Sequence, residues 1–485
     1  MDSTTKGKVA SGFKWTSVET AANLGLNFIV GILIARQLTP ADYGLIGMLG
    51  IFMAISQTFL DSGFSQALIQ KQDADNDDFS TTFFLNIGMG VFFYSLLYLC
   101  APLIAQFYNQ PLLIPITRVY MLTLVINSLM MVQTTKLSKD MEFRTKSILN
   151  LSSSIVSGIF GITMAYTGFG VWALVWCGLG SKIFSCLLLW SIVKWRPLLV
   201  FSKKSFNALF GYGSKHLASA LINTIYGNIA TIIIGKAYQA KDLGLFSRAD
   251  GFANLPTSTI TSIVLRVNFP VLARLQNDNA QLLSTYSTLL RVPLFLLYPI
   301  LFGMAVLASP LLEVLLGANW LACAGFLVIM CFGRLWSPLT SINLNLLYVK
   351  GRTDLVLKLE LIKKPIAFVM LFAAIPFGIY GMCVSIALYE FVAFCINCHY
   401  TGKLLDYGFR KQMAELLPIL GYSALMAVVV WTVTYFFSSP ALKLLIGITS
   451  GIIVYVALAW ISKDPTFGLC KNYLAAKLRL NFKRY

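Results

Sequence analysis

Charged side chains are scarce in this 485-residue sequence, where Asp, Glu, Lys and Arg together make up 12% of the residues. Soluble globular chains carry about 25% charged residues, so half of the usual surface charge is missing. An ionised side chain at the centre of a bilayer costs about 2.5–3.5 kcal/mol on insertion scales, so the deficit indicates a surface that faces lipid. The composition excludes an ordinary soluble domain and predicts a polytopic membrane protein.

The sequence also lacks the patterns that accompany catalysis and cofactor binding. It contains two histidines, His216 and His399, which are too few for a histidine-rich metal site. It has neither a phosphate-binding P-loop nor the G-x-S-x-G motif of serine hydrolases. We therefore expect no catalytic residues, no metal and no cofactor. Energy for any transport must then come from an ion gradient, the membrane potential or the gradient of the cargo.

Two features of secreted proteins are missing as well. The nine cysteines lie almost all in apolar segments, which indicates small core residues and not a disulfide framework. No cleavable signal peptide is expected, because residues 1–12 are polar and basic and the following apolar run continues to Ala35 without a small-residue cleavage site.

Apolar runs of about 20 residues, long enough to cross ~30 Å of hydrocarbon, recur along the whole chain. They predict an all-α membrane fold of about fourteen helices in one membrane domain, since no connection is long enough to fold alone. The predicted spans lie near residues 13–35, 44–69, 80–106, 112–135, 147–167, 170–193, 213–236, 244–272, 292–316, 321–349, 359–377, 381–400, 414–437 and 442–461.

The basic residues between these spans predict the orientation of the chain. Of the 38 Lys and Arg residues, 28 fall in loops on one side, four on the other side and six inside spans. Because cytoplasmic loops carry the excess of Lys and Arg, both termini are predicted to be cytoplasmic. The net charge of +18 would suggest nucleic acid in a soluble chain, but here it predicts contact with anionic membrane lipids.

Two halves of the sequence echo each other. The first predicted span ends in an apolar triplet, a small residue and Arg36, and the seventh ends in the same pattern with Lys236. At the same distance after each base come Asp42-Tyr43-Gly44-Leu45 and Asp242-Leu243-Gly244-Leu245. A second echo joins residues 168–171 to residues 378–381.

These echoes predict two parallel six-helix repeats followed by two further helices. The expected divisions are an N-terminal lobe at residues 1–206, a C-terminal lobe at 207–402, and a C-terminal part at 403–485 with two extra helices and a basic cytoplasmic tail.

Polar residues recur at helical spacing in the first and seventh spans. Thr16, Glu19, Asn23 and Asn27 share one face of the first, and His216, Ser219, Asn223 and Gly227 share one face of the seventh. Such faces avoid lipid, so both could line a cavity between the halves. The alternative is that these side chains hydrogen-bond neighbouring helices as packing contacts.

Charged residues inside the spans suggest what the cavity binds. Six bases against five acids favour an anionic or phosphorylated cargo, because the planar guanidinium matches phosphate oxygens. We select Arg334, Arg118 and Arg248, with Asn23, Asn27 and Asn223, as substrate-binding candidates. The acids Glu19, Asp250 and Glu390 are candidates for coupling to H⁺ or Na⁺, although Glu19 could equally form a structural pair with a base such as Lys215.

Three stretches resemble a known family. Residues 35–44 (Ala-Arg-Gln-Leu-Thr-Pro-Ala-Asp-Tyr-Gly), 168–175 and 136–144 are similar to segments of the Wzx-type polysaccharide exporters of the multidrug/oligosaccharidyl-lipid/polysaccharide superfamily, MOP. The resemblance implies a V-shaped pair of six-helix bundles around a cationic cavity. It also implies that an oligosaccharide on undecaprenyl pyrophosphate moves from the inner to the outer leaflet by alternating access. No site residue is carried over from the family.

The leading hypothesis is a non-enzymatic flippase of the bacterial inner membrane that serves exopolysaccharide, capsule or O-antigen lipopolysaccharide synthesis. Its expected partners are lipid-linked oligosaccharide, anionic lipids and polysaccharide polymerase machinery. The alternative is a MATE-like ion-coupled antiporter of small molecules, which the excess of buried bases disfavours. A membrane-embedded glycosyltransferase or polymerase is disfavoured by the short outer loops.

Overall fold

The computed structural model describes residues 3–61, 65, 68, 69, 71, 73–469 and 471, with side chains except at 3–11, 13, 14, 204–216, 218 and 219. These residues form α-helices, two 3-10 turns and no strand, which confirms the all-α class. The side chains of Lys215, His216 and Ser219 and residues 472–485 of the predicted basic tail lie outside the described part.

The chain divides into two compact units, Met1–Gly244 and Leu245–Tyr485. The predicted lobes at residues 1–206 and 207–402, with the C-terminal part 403–485, stay a prediction. The helices up to the boundary are α1 Ser3–Gln37, α2 Pro40–Asp61, α3 Asn76–Tyr108, α4 Leu113–Tyr120, α5 Leu122–Lys139, α6 Phe143–Tyr166, α7 Val171–Ile192 and α8 Lys203–Ala237.

A long helix, α9 Ala240–Arg274, begins in the first unit and continues in the second. The helices that follow are α10 Asn279–Val306, α11 Ala308–Leu316, α12 Cys323–Arg334, α13 Ser337–Val349, α14 Thr353–Ala374, α15 Gly378–Leu405, α16 Phe409–Tyr435 and α17 Pro440–Ile461.

Twelve helical segments among the described residues are long and apolar enough to cross a bilayer, so the chain is a multi-pass membrane protein. One of them, Thr353–Leu405, has 53 residues and contains two predicted spans, whose helices meet at the 3-10 turn Ile375–Phe377. The predicted span 244–272 corresponds to α9, which is absent from the twelve. The number fourteen and the repeat layout stay predictions.

The first unit is held together by helix pairs and one aromatic core. Helix α1 packs on α6, α6 on α7, α3 on α5, and α2 on α8. Buried Phe79 and Phe83 of α3 contact the ring of Trp195, with ring centroids 6.2 and 5.9 Å apart. This core lies where α7 ends and the chain turns toward α8.

A buried hydrogen-bond network around Asn343 of α13 stabilises the second unit. The side-chain oxygen of Asn343 accepts from Tyr286 of α10 at 2.9 Å, Thr401 of α15 at 2.9 Å and Gln412 of α16 at 3.0 Å. Its amide donates to Gln412 at 3.1 Å. Because the four side chains are fully or almost fully buried, the network fixes four helices in one arrangement.

The Asp-x-Gly-Leu echo corresponds to a shared local structure. The Asp42 carboxylate accepts from the backbone N–H of Thr39 at 2.9 Å, just before α2 begins. Asp242 accepts from the backbone N–H of Gln239 at 3.3 Å, at the start of α9. Each aspartate thus satisfies a donor that the first turn of a helix leaves unpaired.

Candidate functional site

The first unit contains a polar cavity of about 680 Å³ within a largely apolar chain. Its charged lining comes from Asp61 of α2, Lys146 of α6 and Lys182 of α7. Amides and hydroxyls supply most of the other polar lining, from Gln57, Ser65, Tyr120, Thr123, Asn127, Thr134, Thr135, Ser138 and Asn150. Such a lining can bind a hydrated, hydroxyl-rich or charged group that lipid would exclude.

Asp61 and Lys182 form the electrostatic centre of this cavity. The carboxylate of Asp61 and the ammonium group of Lys182 are close enough to attract each other. Gln57 donates from Nε2 to the Asp61 carboxylate at 2.8 Å, and its own carbonyl accepts from Asn127 Nδ2 at 2.7 Å. The sequence analysis did not select either charged residue for the site, although Lys182 lies near the middle of its predicted span.

Glu19 is engaged at the edge of the same cavity. Its carboxylate accepts from Ser147 Oγ and from Asn150 Nδ2, both at 2.6 Å. Ser147 and Asn150 belong to α6, and Asn150 also lines the cavity. The predicted pair with Lys215 stays a prediction, because the side chain of Lys215 lies outside the described part.

The predicted asparagines of the polar stripes lie in different surroundings. Asn23 is half-buried, and its side-chain oxygen has no hydrogen-bond partner among the described residues. Asn27 and Asn223 are exposed in the isolated chain. Whether these three side chains share a cavity stays a prediction.

Arg334 and Asp250 form an ion pair within the second unit, between the end of α12 and α9. The Arg334 and Asp250 side chains are 21% and 30% exposed, so other residues of the chain cover most of the pair. Glu390 of α15 interacts electrostatically with Arg334, Asp250 and Lys363. The structure thus brings together three residues that the sequence analysis selected separately.

The other two predicted arginines stack on aromatic rings. The Arg118 guanidinium lies 4.4 Å from the ring centroid of Tyr98, and that of Arg248 lies 5.9 Å from Trp320. The Nε atom of Arg118 is buried without a hydrogen-bond partner among the described residues. Stacking on the ring of Tyr98 leaves the N–H groups at the edge of the Arg118 guanidinium free of the ring, in the geometry that suits a phosphate or carboxylate.

Arg118 and Arg334 occupy equivalent places in two broken helices. Arg118 lies in the last turn of α4, and a single residue separates α4 from α5. Arg334 is the last residue of α12, and two residues separate α12 from α13. Each helix pair makes up one candidate span. Broken membrane helices expose backbone groups and mark binding sites in many transporters.

A sequence echo that we missed accompanies these breaks. After Arg118 come an aliphatic and an aromatic residue, and the pair Ile126-Asn127 ends the pattern nine residues after the arginine. Arg334 begins the same pattern, which ends at Ile342-Asn343. The two asparagines have diverged in their surroundings. Asn127 lines the polar cavity, whereas Asn343 is enclosed in the buried network of the second unit.

Within the part of the chain that the structure describes, no three His, Cys, Asp or Glu side chains are grouped so that they could hold a metal ion.

Residues 33–325 match the family model described as polysaccharide biosynthesis protein, which is more than half of the chain. The chain belongs to this family. That membership confirms the resemblance to polysaccharide exporters found in the sequence.

Two relatives match over most of their length. The chain is 26% identical to the teichuronic acid biosynthesis protein TuaB of Bacillus subtilis, over 94% of this chain and 96% of that protein. It is 24% identical to the lipopolysaccharide biosynthesis protein WzxC of Escherichia coli, over 90% of this chain and 86% of that protein.

Two solved structures share the fold. An inward closed form of the lipid II flippase MurJ superposes with a TM-score of 0.74, covering 92% of this chain and 98% of that one at 17% identity. An inward-facing multidrug resistance MATE family transporter of the MOP superfamily gives 0.61, over 81% of this chain and 98% of that one at 14% identity.

Proposed function

We propose that this protein is a flippase that moves an oligosaccharide linked to undecaprenyl pyrophosphate from the inner to the outer leaflet of the bacterial inner membrane. Both termini would lie in the cytoplasm, and the product would enter exopolysaccharide, capsule or lipopolysaccharide synthesis. Support comes from family membership, from relatives named for teichuronic acid and lipopolysaccharide biosynthesis, and from the fold shared with a lipid II flippase.

The observation that carries the proposal is the polar cavity of about 680 Å³ in a chain that is 57% hydrophobic. An oligosaccharide presents many hydroxyl groups, which the amides of Gln57, Asn127 and Asn150 can bind. Each such hydrogen bond contributes about 0.5–1.5 kcal/mol net of the lost hydration, so several together favour binding of the sugar. An apolar drug would form no hydrogen bonds with these amides, which would keep only their contacts inside the protein.

The arginines supply the binding groups for the pyrophosphate. Arg118, on its aromatic face, keeps donors available, and Arg334 would exchange its contact with Asp250 for a contact with phosphate. Arg248, Asn23, Asn27 and Asn223 are further candidates for contact with the cargo.

An exchange at Arg334 would also couple transport to a cation. When phosphate replaces Asp250, the released carboxylate lies in the electrostatic field of Glu390. Two neighbouring carboxylates favour uptake of H⁺ or Na⁺, because like charges raise the cost of leaving both ionised. We therefore propose Asp250 and Glu390 as coupling groups, with Glu19 as a third candidate at the edge of the cavity.

The alternative function is ion-coupled antiport of small molecules, which the fold shared with the MATE family transporter favours. The two functions separate in one experiment. Purified protein in liposomes should move a fluorescent undecaprenyl-pyrophosphate oligosaccharide between leaflets, measured by the fraction that an external reductant can reach. Absence of this movement, together with proton- or sodium-driven efflux of a cationic dye, would favour the antiporter.

A further inference from the structure

The linker between α7 and α8, residues 193–202, exposes a row of apolar side chains. Leu198, Leu199, Val200 and Phe201 are 48%, 93%, 41% and 57% exposed. The linker is not helical. Four consecutive exposed apolar residues on a loop require a surface to cover them.

The linker is held rigidly at both ends. The backbone N–H of Leu198 donates to Ser80 Oγ at 3.0 Å, and that of Ser202 donates to Thr81 Oγ1 at 3.0 Å. Arg196 donates to the carbonyls of Trp190, Val193 and Trp195 at 2.6–2.9 Å, which satisfies acceptors at the C-terminus of α7. The exposure of the apolar row therefore follows from a fixed backbone.

The position of the linker along α3 places it at the level of the bilayer surface. Helix α3 has 33 residues and is about 50 Å long, which exceeds the ~30 Å hydrocarbon core by about 20 Å. Centred in the bilayer, it would extend about 10 Å beyond the core at each end. Ser80 and Thr81 lie in its second turn, so the linker lies in the headgroup region.

Basic residues flank the apolar row. Lys194, Arg196 and Lys203 are exposed beside it, and Lys136 lies against Phe79 in the core beneath, 5.2 Å from the ring centroid. Four acids lie near the start of α3, further from the centre of the bilayer: Asp73, Asp75, Asp77 and the buried Asp78, which forms an ion pair with Lys71. Apolar side chains bordered by bases match the acyl boundary and the anionic headgroups of a lipid leaflet.

We propose that residues 198–201 insert into the headgroup and acyl boundary of an anionic lipid leaflet and anchor the start of α8 there. The anchor does not depend on the transported cargo. The anchor explains the hydrogen bonds between the linker and α3, because a free loop would lose conformational entropy each time it inserted.

The test uses a fluorophore on a cysteine introduced at the row, Leu199→Cys, in a Cys470→Ser background. None of the other eight cysteines is exposed, so labelling is selective. The matched control is Asn277→Cys, an exposed polar position in the loop between α9 and α10. Both labelled proteins are placed in liposomes of phosphatidylglycerol and phosphatidylcholine that carry a nitroxide quencher near the headgroup.

The proposal predicts that quenching of the Leu199→Cys label exceeds that of the control at least about twofold. Replacing Lys194 and Lys203 by Gln should lower this quenching in anionic liposomes to its value in pure phosphatidylcholine. Equal quenching of the two labels would overturn the anchor, and quenching that is unchanged between the two lipid compositions would overturn the anionic preference. Hydrogen exchange at residues 198–202 of the unmodified protein, slower in anionic nanodiscs than in detergent, supports the anchor independently; equal exchange rates contradict it.

Discussion

Gly44 and Gly244 meet at the starts of α2 and α9, within the first compact unit. A Cβ atom on Gly44 would lie 1.7 Å from the carbonyl oxygen of Ala240, and one on Gly244 would lie 1.7 Å from the carbonyl oxygen of Pro40. The contact is reciprocal, and no side chain fits at either position. The glycines of the Asp-x-Gly-Leu echo therefore permit a backbone approach, as small residues do in other membrane helix pairs.

Substituting alanine for Gly44 should destabilise the protein. The new methyl group overlaps backbone, which cannot move aside as a flexible side chain can, and overpacking of this kind costs about 1–3 kcal/mol or more. We expect a lower Tm for Gly44→Ala and for Gly244→Ala in detergent. Gly50→Ala is the control, because a Cβ at Gly50 meets nothing within 4 Å. An unchanged Tm for Gly44→Ala would show that this contact is absent in the protein.

Removing the Asp250 carboxylate should strengthen anion binding at Arg334. In Asp250→Asn the guanidinium no longer has its ion-pair partner, so phosphate binds without displacing it. We expect about a tenfold or greater gain in affinity for inorganic pyrophosphate, since hydrogen bonds to charged groups contribute about 1.5–3 kcal/mol. Calorimetric titration in detergent measures this gain.

Asp354→Asn is the matched control for Asp250→Asn. Asp354 forms an ion pair of 2.8 Å with Arg352, but both side chains are exposed and the surface pair contributes little. Its loss should leave the pyrophosphate affinity unchanged. Weaker binding in Asp250→Asn, or equal gains in both variants, would refute the exchange at Arg334.

The buried network around Asn343 should be essential to the stability of the second unit. In Asn343→Ala, the buried hydroxyl of Tyr286 loses its acceptor and the side-chain oxygen of Gln412 loses its donor, while Thr401 Oγ1 and Gln412 Nε2 keep backbone acceptors. Each buried polar group left unpaired costs about 1–3 kcal/mol, so the loss of Tm should be large. Asn345→Ala, two residues further along α13 and outside this network, should change Tm much less. A similar Tm for the two variants would contradict the role of the network.

The sequence predicted the membrane class and the all-α fold because the length of apolar runs is visible in it, whereas the role of the residues selected for the site stays a prediction. It did not predict that Asp250 pairs with Arg334, since helix spacing places side chains around one helix but does not identify the neighbour. Asp61 looked like a residue at a helix end, and only packing places it beside Lys182. The exposure of the apolar row in the linker could not be predicted from the sequence, because it depends on hydrogen bonds to the distant Ser80 and Thr81.

The most direct test of the account follows leaflet-to-leaflet movement of a fluorescent undecaprenyl-pyrophosphate oligosaccharide by Lys182→Met in liposomes. The variant keeps the length of the side chain and removes the ammonium group from the polar cavity. Lys358→Met, at an exposed position on α14, is the control. Loss of a charged hydrogen-bond donor predicts movement slowed by about tenfold or more in Lys182→Met at unchanged Tm, with wild-type rates in the control. Equal rates for Lys182→Met and the wild type would contradict the claim that this cavity carries the cargo.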